Sequence, residues 1–452
     1  MGKELLSVGL DVGTTSTQMI LSKLTAENRA SGFAVPQLEI THREILYRSP
    51  VHFTPLSSHN LVDGVALRKL IEKEYEAAGI TRDQVDTGAV IITGETSRKE
   101  NAQTVLRELS DFAGDFVVAT AGPDLESILA AQGAGAVKRS EGRRVLHMDI
   151  GGGTSNLCLI EDGKILATGC LNVGGRLLKL DENGRITYRS PVLEGLTQLQ
   201  VGDKPAAGQL EALAMCLASA LEMAAGKKPA EDLLCKLTTK ETGTQWKIPE
   251  DAIPSFSGGV ADCIAKDFPY NAFGDIGPVL GRAIREGSLC RGDYFLGEET
   301  IRATVIGAGC HSVQLSGSTV YYQNIAFPLK NIPAAVTENP QTAEEVAAAL
   351  QTCEGDVVFL AIPGFLSPGY AQVQKLAEIL AEGFGDRPVL ICTEGDFAKA
   401  LGHCLRLLIP ENRPCLCMDG LALTACSYLD VGAPVGPALP VVIKTLILGG
   451  NP

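Results

Sequence analysis

Two short stretches of this 452-residue chain share one local pattern, and their repetition constrains the fold more than any other feature. The segments "LDVGTTSTQ" (10–18) and "MDIGGGTSN" (148–156) each lead from an apolar strand through an acid into a turn of small residues. Their acids, Asp11 and Asp149, lie 138 residues apart. An apolar stretch follows each turn, so both segments predict a strand, a hairpin turn and a second strand. The spacing indicates an internal duplication of a domain built from a β-meander and helices.

The glycine-rich turn after Asp149 is a candidate phosphate-binding loop, and three kinds of loop bind phosphate in this way. A P-loop requires Ser or Thr after its Gly–Lys pair, and neither Gly163–Lys164 nor Gly226–Lys227 has that continuation. A Rossmann loop opens a helix, whereas "LCLIEDGKI" continues as a strand and a turn. What remains is a hairpin turn whose consecutive backbone N–H groups form an anion-binding nest.

Taken as a pair, the two turns predict a clamp that holds a nucleoside triphosphate between two domains. A carboxylate beside such a turn would repel phosphate, but it can hold a hydrated Mg²⁺ that bridges to the phosphate. Asp11 and Asp149 are therefore the predicted magnesium-binding and catalytic acids. Either turn alone would be an ordinary β-turn; the pair, each after a buried strand, favours a nucleotide site. The predicted phosphate-binding residues are Gly13, Thr14, Thr15 and Ser16 in the first turn and Gly151, Gly152, Gly153, Thr154 and Ser155 in the second.

A third segment, "FSGGV" (256–260), lies between a predicted strand and a predicted helix. Glycines at this point would let a flat base and its ribose approach the backbone. Ser257, Gly258 and Gly259 are therefore predicted to contact the nucleotide. Gly–Gly turns are common, so this prediction depends on the position of the segment after the two acid-containing turns.

The ordered set of segments resembles the actin, sugar kinase and Hsp70-type ATPase superfamily. The two turns are similar to its phosphate motifs, and "FSGGV" is similar to its adenosine motif. "DLESILAAQGAGAV" and "DIGPVLGRAI" resemble its two connecting helices. The resemblance implies two RNase H-like domains with ATP and Mg²⁺ in the cleft between them. It also implies a catalytic role for Glu126, although an acid in the first turn of a helix is favoured by the helix dipole in any case.

Segments spread over nearly the whole chain resemble the family of ethanolamine ammonia-lyase reactivating factors. The resemblance implies an ATPase chaperone that binds ethanolamine ammonia-lyase, releases its damaged cobalamin and lets intact adenosylcobalamin enter. It also implies a cytoplasmic location beside the ethanolamine-utilisation bacterial microcompartment. A nucleotide-dependent scaffold or filament protein and a small-molecule kinase remain alternatives on the same fold. The segments are "LLSVGLDVGTTSTQMILSKL", "YRSPVHFTPL", "VIITGETSRKENAQ", "AGPDLESILAAQGAGA", "VIGAGCHSVQLSGSTV" and "PVVIKTLIL".

The predicted fold class is α/β, with duplicated RNase H-like domains of the actin/Hsp70 ATPase type and a C-terminal α/β unit. We expect a first ATPase subdomain over residues 1–140, a second over 141–300, and a partner-binding α/β region over 301–452. Strands and helices alternate from residue 357 onward, as in a small α/β unit. Three further expectations are a helix over 97–110, a polar surface excursion over 181–204, and a strand-rich segment over 301–322.

Composition argues against two classes of partner. The chain has 39 Lys and Arg residues against 53 Asp and Glu residues, a net charge of −14, and no basic run, so we expect no nucleic-acid partner. The apolar stretch 209–226 is shorter than the roughly 20 residues that span a bilayer, so we expect a buried core helix and no membrane partner. The 13 cysteines, an odd number, are expected to be reduced and mostly buried.

Overall fold

The computed structural model describes most of the chain between residues 3 and 445. Helices and three large β-sheets make up its framework. The predicted helix over 97–110 lies outside the described residues. The described ranges are 3–13, 16–28, 38–58, 61–92, 117–120, 123–206, 208–239, 248–249, 251–311, 314–317, 319–353, 355–364, 368–421, 423, 427–434 and 438–445.

The first sheet begins the chain and has strand order β3-β2-β1-β7-β8, with β4 also paired to β2. The first three strands pair antiparallel, while β1, β7 and β8 run parallel. Helix α1 begins after Asp63, whose side chain accepts the N–H of Ala66, and ends at Gly79, which adopts the left-handed conformation. The elements are β1 (Lys3–Val12), β2 (Ser16–Asn28), β3 (Leu38–Arg48), β4 (His52–Phe53), β5 (Leu56–Ser58), β6 (Leu61–Val62), α1 (Gly64–Ala78), β7 (Thr87–Ile92) and β8 (Val117–Thr120).

The second sheet repeats this topology. Its order is β11-β10-β9-β14-β15, again with three antiparallel strands first and two parallel neighbours on the other side of the central strand. The predicted duplication is therefore confirmed at the level of strand order. The elements that follow the first sheet are α2 (Pro123–Gly133), α3 (Ala136–Arg139), β9 (Arg144–Ile150), β10 (Ser155–Glu161), β11 (Lys164–Leu171), β12 (Leu178–Leu180), β13 (Ile186–Arg189), α4 (Gln209–Ala224), α5 (Asp232–Leu237), β14 (Ile253–Ser257), α6 (Gly259–Ala265), α7 (Gly277–Glu286) and β15 (Phe295–Leu296).

Two helices, here called the crossing helices, pack against each other between these sheets. Helix α2 packs its Leu129 against Ala89 and Ile91 of the first sheet, and its Ala131 against Val145 of the second. A further helix, α8 (Ala303–His311), packs along α2 and against β1, β2 and β7. The pair α2 and α8 therefore joins the two sheets.

Two expectations about these helices were wrong. The 301–322 segment was expected to be rich in strands, but its first half is α8, because its small residues let this helix lie close to α2 and β1. The segment "DIGPVLGRAI" does not cross between the sheets. It forms α7, which packs on α4 and α6 in the half of the molecule built on the second sheet, here called the second unit; the first unit is the half built on the first sheet. The second crossing helix is α8.

The 181–204 segment is also more integrated than expected. It contributes β13, which pairs with β12, and its Leu193 and Leu199 are buried in the core of the second unit. Helix α4 is a buried core helix, as predicted, with Leu217 and Leu221 fully covered. In the part of the chain that the structure describes, every helix is too short or too polar to cross a membrane.

The third sheet has eight strands in the order β16-β23-β22-β18-β19-β20-β21-β17. Its centre, β18 to β21, is parallel, with helices between the strands, as the alternating pattern predicted. The division of the chain at residues 140 and 300 stays a prediction. The elements are β16 (Gln314–Leu315), β17 (Tyr321–Gln323), β18 (Leu329–Val336), α9 (Ala343–Leu350), β19 (Phe359–Ile362), α10 (Tyr370–Gly383), β20 (Val389–Thr393), α11 (Ala398–Arg406), β21 (Cys415–Met418), β22 (Ser427–Val431) and β23 (Pro440–Thr445).

Candidate functional site

The two acid-containing turns close in the same way. In the first, the N–H of Gly13 donates to the carbonyl of Ser16 at 2.8 Å. In the second, the N–H of Gly151 donates to the carbonyl of Thr154 at 2.9 Å. Each turn therefore spans four residues and presents its backbone at the end of the central strand of its sheet. This is the geometry that an anion nest at a hairpin turn requires.

Each acid also faces an amide side chain on the neighbouring strand. Asp11 lies opposite Gln18 across β1 and β2, and Asp149 lies opposite Asn156 across β9 and β10. In both halves the amide follows the acid by seven residues. The duplicated unit is thus an acid, a four-residue turn and an amide, and sequence reasoning missed the amides although their equal spacing was visible.

Burial separates the predicted phosphate-binding residues into two groups. The turn residues Gly151, Gly152 and Thr154 are half-buried, Gly153 is exposed, and Gly13 and Ser16 are half-buried. Ser155 is fully buried, and its hydroxyl donates to the Val173 carbonyl at 2.7 Å. Its side chain therefore ties the hairpin to the chain after β11. Thr14 and Thr15 lie outside the described residues.

A segment that sequence reasoning missed, residues 172–176, lies against the second turn. The N–H of Gly175 donates to the Gly151 carbonyl at 3.0 Å, and the N–H of Arg176 donates to the Gly152 carbonyl at 2.6 Å. A Cβ at Gly174 would overlap the backbone of Gly152. The "NVGG" sequence after β11 was the available signal, because paired glycines after a strand mark close backbone approach.

Asp149 is the more enclosed of the two acids. It is 9% exposed, whereas Asp11 is half-buried. Burial raises the pKa of Asp149 to about 6, while hydrogen bonds from Ser257 and Thr304 act in the opposite direction. Thr304 lies on α8, so the acid is held by residues from its own sheet and from the crossing helix.

The serine of the "FSGGV" segment supports this acid. Ser257 is fully buried, and its hydroxyl donates to Oδ1 of Asp149. Nε2 of His147 lies 2.9 Å from the same hydroxyl, and Nδ1 of His147 lies 3.0 Å from the hydroxyl of Ser255. Burial lowers the pKa of His147 to about 3, so its imidazole is neutral near neutral pH.

The two glycines of this segment differ in their surroundings. Gly258 is buried with φ of +85°, and a Cβ there would overlap the backbone of Ile150. Its glycine identity is therefore required by packing against the second hairpin. Gly259 is exposed and starts α6, and no atom lies within 4 Å of the position that a Cβ would occupy there. Of the two glycines, Gly259 is therefore the one available to a ligand.

Glu126 lies on α2 and is 6% exposed. Nδ2 of Asn156 donates to its Oε2 at 3.0 Å. Because Asn156 is the residue opposite Asp149, the structure brings Glu126, Asn156 and Asp149 into one group. The predicted acid of the crossing helix and the predicted acid of the second turn thus share a neighbour.

Two buried amide oxygens bear on whether the residues at the two turns are suited to hold a hydrated Mg²⁺. Oε1 of Gln18 and Oδ1 of Asn156 have no hydrogen-bond donor within the described parts of the chain. A buried acceptor without a donor is costly, and the waters of a hydrated Mg²⁺ are donors that carboxylates and amides hold well. The carboxylate and amide oxygens at both turns therefore fit a hydrated Mg²⁺, whose waters would donate hydrogen bonds to them.

A short strap, defined as residues 299–302, joins the two halves of the site. Nε2 of Gln18 donates to the Ile301 carbonyl at 3.2 Å, and the N–H of Gly258 donates to the Thr300 carbonyl at 3.0 Å. Nη2 of Arg48 in the first unit lies 2.7 Å from Oε1 of Glu299. The strap therefore contacts the first hairpin and the segment before α6 together.

Two sheets of identical topology, two crossing helices and paired acid-containing turns define the duplicated RNase H-like architecture of the actin and Hsp70 type. The chain belongs to the family described as Ethanolamine utilisation protein EutA, whose sequence profile matches residues 3–449.

Two relatives are similar over nearly their whole length. The ethanolamine ammonia-lyase reactivase EutA of Salmonella typhimurium is 39% identical over an alignment of 473 positions, which covers 98% of each chain. The protein of the same name from Escherichia coli is 38% identical over 468 residues, again with 98% of each chain covered. Among solved structures, an Aquifex aeolicus Ppx/GppA phosphatase is 13% identical, with a TM-score of 0.41 over 68% of this chain and 99% of that one.

Proposed function

We propose that this protein is an ATP-dependent reactivating chaperone for ethanolamine ammonia-lyase. In this proposal it releases damaged cobalamin from the lyase, so that intact adenosylcobalamin can bind there. The two relatives named as ethanolamine ammonia-lyase reactivases support the choice of partner, because their similarity to this chain covers 98% of each sequence. We further propose a cytoplasmic location beside the ethanolamine-utilisation microcompartment; the support is the family's description, which names ethanolamine utilisation.

The observation that carries the nucleotide part of the proposal is the duplicated acid, turn and amide. Asp11 and Gln18 would hold a hydrated Mg²⁺ from one side, and Asp149 and Asn156 from the other. When bound, Mg²⁺ neutralises charge on the phosphate oxygens. Glu126, which accepts a hydrogen bond from Asn156, is proposed to orient the attacking water.

The turn residues would bind the phosphates through their backbone. The N–H groups of Gly13 and Gly151 close the two turns, so the phosphate-binding N–H groups are proposed to be those of Ser16 in the first turn and of Gly153 and Thr154 in the second. Thr14, Thr15 and Gly152 complete these turns, and Gly259 is proposed to approach the nucleoside. Ser155, Ser257 and Gly258 are proposed to shape the site from beneath.

A clamp of this kind gives ATP a way to act on a partner. A ligand shifts an open–closed equilibrium only through its different affinity for the two states. A nucleotide that touches both turns binds the closed state better than the open one. Closure would then change the surface that the lyase contacts, and hydrolysis would reverse the change.

Two substitutions test the nucleotide assignment directly. Asp11→Ala and Asp149→Ala are each expected to lower Mg²⁺-dependent ATP hydrolysis by at least about 100-fold. Phosphate release measured on purified protein gives the result. Hydrolysis by both variants at the parent rate would show that the assigned clamp is not the site.

A further inference from the structure

The second acid has a row of polar side chains beside it. Strands β9 and β14 are parallel neighbours, with Asp149 opposite Ser257 and His147 opposite Ser255. These four positions alternate along their strands, so their side chains project from one face of the sheet. The same face holds Val145, which packs on Ala131 of the crossing helix α2.

The first sheet does not have a row of this kind at the matching positions. In the first sheet, Asp11 lies opposite Ile91 and Gly9 lies opposite Ala89 on the parallel neighbour. The two sheets have the same strand order and the same pairing directions. Since the first sheet forms with apolar or absent side chains at these positions, the fold itself does not require polar ones.

In each hydrogen bond along the row, the donor is the group farther from Asp149. The Ser257 hydroxyl donates its only proton to Asp149, so it accepts from Nε2–H of His147 at 2.9 Å. Nδ1 of the neutral imidazole then accepts from the Ser255 hydroxyl at 3.0 Å. Ser255, His147 and Ser257 are all fully buried, so water does not compete for these bonds.

We propose that Ser257, itself oriented by His147, is a positioning residue that holds the Asp149 carboxylate in the orientation needed for hydrated Mg²⁺. The inference rests on the proposed function, and it assigns to Ser257 a task other than contact with the nucleoside. Partners behind a metal-binding group fix its orientation and raise its effective affinity.

A second hydroxyl, that of Thr304, also hydrogen-bonds Asp149 and comes from α8. Asp149 is therefore held from its own sheet by Ser257 and from the crossing helix by Thr304. Removing Ser257 leaves the Thr304 contact in place. Such a variant keeps one support for the carboxylate, so it is expected to fold and to bind Mg²⁺ less well rather than not at all.

The test compares Ser257→Ala with Ser255→Ala in the full-length protein. Both remove one buried serine hydroxyl from the same strand, but only Ser257 touches Asp149. Binding of a fluorescent ATP analogue is titrated with Mg²⁺ and also measured with chelator. Ser257→Ala is expected to raise the half-saturating Mg²⁺ concentration about 10- to 100-fold, and Ser255→Ala less than about threefold. Affinity in chelator is expected to match the parent in both.

His147 provides an independent pair of variants. His147→Gln places an amide N–H near the position of Nε2 and is expected to keep a Mg²⁺ dependence close to that of the parent. His147→Leu removes the donor and is expected to behave like Ser257→Ala. Thermal unfolding and nucleotide binding in chelator show whether each variant is folded. If Ser257→Ala does not fold, a contrast between the two His147 variants supports the inference and equal behaviour contradicts it.

The outcomes separate this inference from the proposed function. A parent protein that binds nucleotide with Mg²⁺, together with a Ser257→Ala variant of unchanged Mg²⁺ dependence, overturns the positioning role and leaves the proposed function standing. A parent protein that binds no nucleotide in Mg²⁺ overturns both.

Discussion

At the scale of single residues, the site depends on placing a carboxylate where water is scarce. Burial raises the pKa of Asp149 to about 6, although hydrogen bonds from Ser257 and Thr304 favour the charged form. A strongly shifted acid at the end of a strand is typical of functional sites rather than of ordinary cores. The charge of Asp149 therefore costs stability, and we attribute its presence to nucleotide chemistry.

This cost leads to a prediction for Asp149→Asn. The folded protein binds this proton more tightly than the unfolded chain, because the pKa in the fold, about 6, exceeds the ordinary value of 3.8. The contribution of Asp149 to stability therefore falls as pH rises through that window and stays low above it. Without Mg²⁺, the variant is expected to be more stable than the parent by about 1–3 kcal/mol near pH 7.5.

Denaturant unfolding at a series of pH values measures this difference. The advantage of the variant is expected to shrink as pH falls and to vanish near the unperturbed pKa of Asp. A parent protein that is more stable than the variant above that window would contradict the account of Asp149.

Some residues of the site could be predicted from the sequence, whereas the contacts between others could not. Asp11 and Asp149 were predicted because an acid before a turn is a local pattern. The contact between His147 and Ser257 joins residues 110 positions apart, so it depends on the pairing of β9 with β14. No local pattern reveals that register, so the sequence predicted a contact of Ser257 with the nucleotide but not its contact with His147.

At the scale of elements, the crossing helices are the structural centre of the two-sheet part. Glycines at three points let α2, α8 and β1 touch backbone to backbone: a Cβ at Gly133 or Gly307 would overlap the facing helix, and one at Gly9 would overlap α8. The Ser7 hydroxyl also donates to the Gly309 carbonyl at 2.6 Å. These contacts explain why "VIGAGC" forms a helix despite its glycines and β-branched residues.

Gly307→Ala tests this packing. Its new methyl group would meet the Leu129 backbone, and a backbone cannot move aside as a side chain can, so we expect a loss of about 1–3 kcal/mol in the free energy of unfolding. Gly292→Ala is the matched control, since nothing lies within 4 Å of its Cβ position. Equal stability of the two variants, measured by denaturant unfolding, would show that close packing at α8 is unimportant.

The two mistakes about helices have a common physical cause. Segment 301–322 was expected to be rich in strands, yet the contact of its first half with α2 outweighs the low helix propensity of its β-branched residues and glycines. The segment "DIGPVLGRAI" was expected to cross between the sheets from its position in the chain. Position does not reveal which face of a helix finds which neighbour, and α7 packs on α4 and α6.

At the scale of the whole molecule, the two sheets of the duplicated part are followed by a third, eight-stranded sheet on the same chain. Ile40 of β3 packs against Val442 of β23, so the third sheet touches the first unit. The alternation of strands and helices predicted the parallel centre of this sheet. It did not predict β16, β22 and β23. Strand β16 pairs with β23 through residues more than a hundred positions apart, and β22 joins β23 to the distant strand β18.

We expect the third sheet to contact the lyase. A chain ending at residue 313 removes this sheet as a unit, whereas one ending at 356 would split its parallel centre. The shorter chain is expected to retain nucleotide binding with Mg²⁺ and to lose binding to ethanolamine ammonia-lyase in a pull-down. If this shortened chain is folded and still binds the lyase, the third sheet is not the contact surface, and the lyase contacts the two-sheet part.

The central claim is that nucleotide held between the two turns drives cofactor exchange on the lyase. The most direct measurement is the activity of cyanocobalamin-blocked ethanolamine ammonia-lyase after incubation with this protein, ATP, Mg²⁺ and fresh adenosylcobalamin. We predict that lyase activity returns with the parent protein, and that it does not return without ATP or with Asp149→Asn. Recovery that is equal with and without ATP, or equal with the Asp149→Asn variant, would contradict the account.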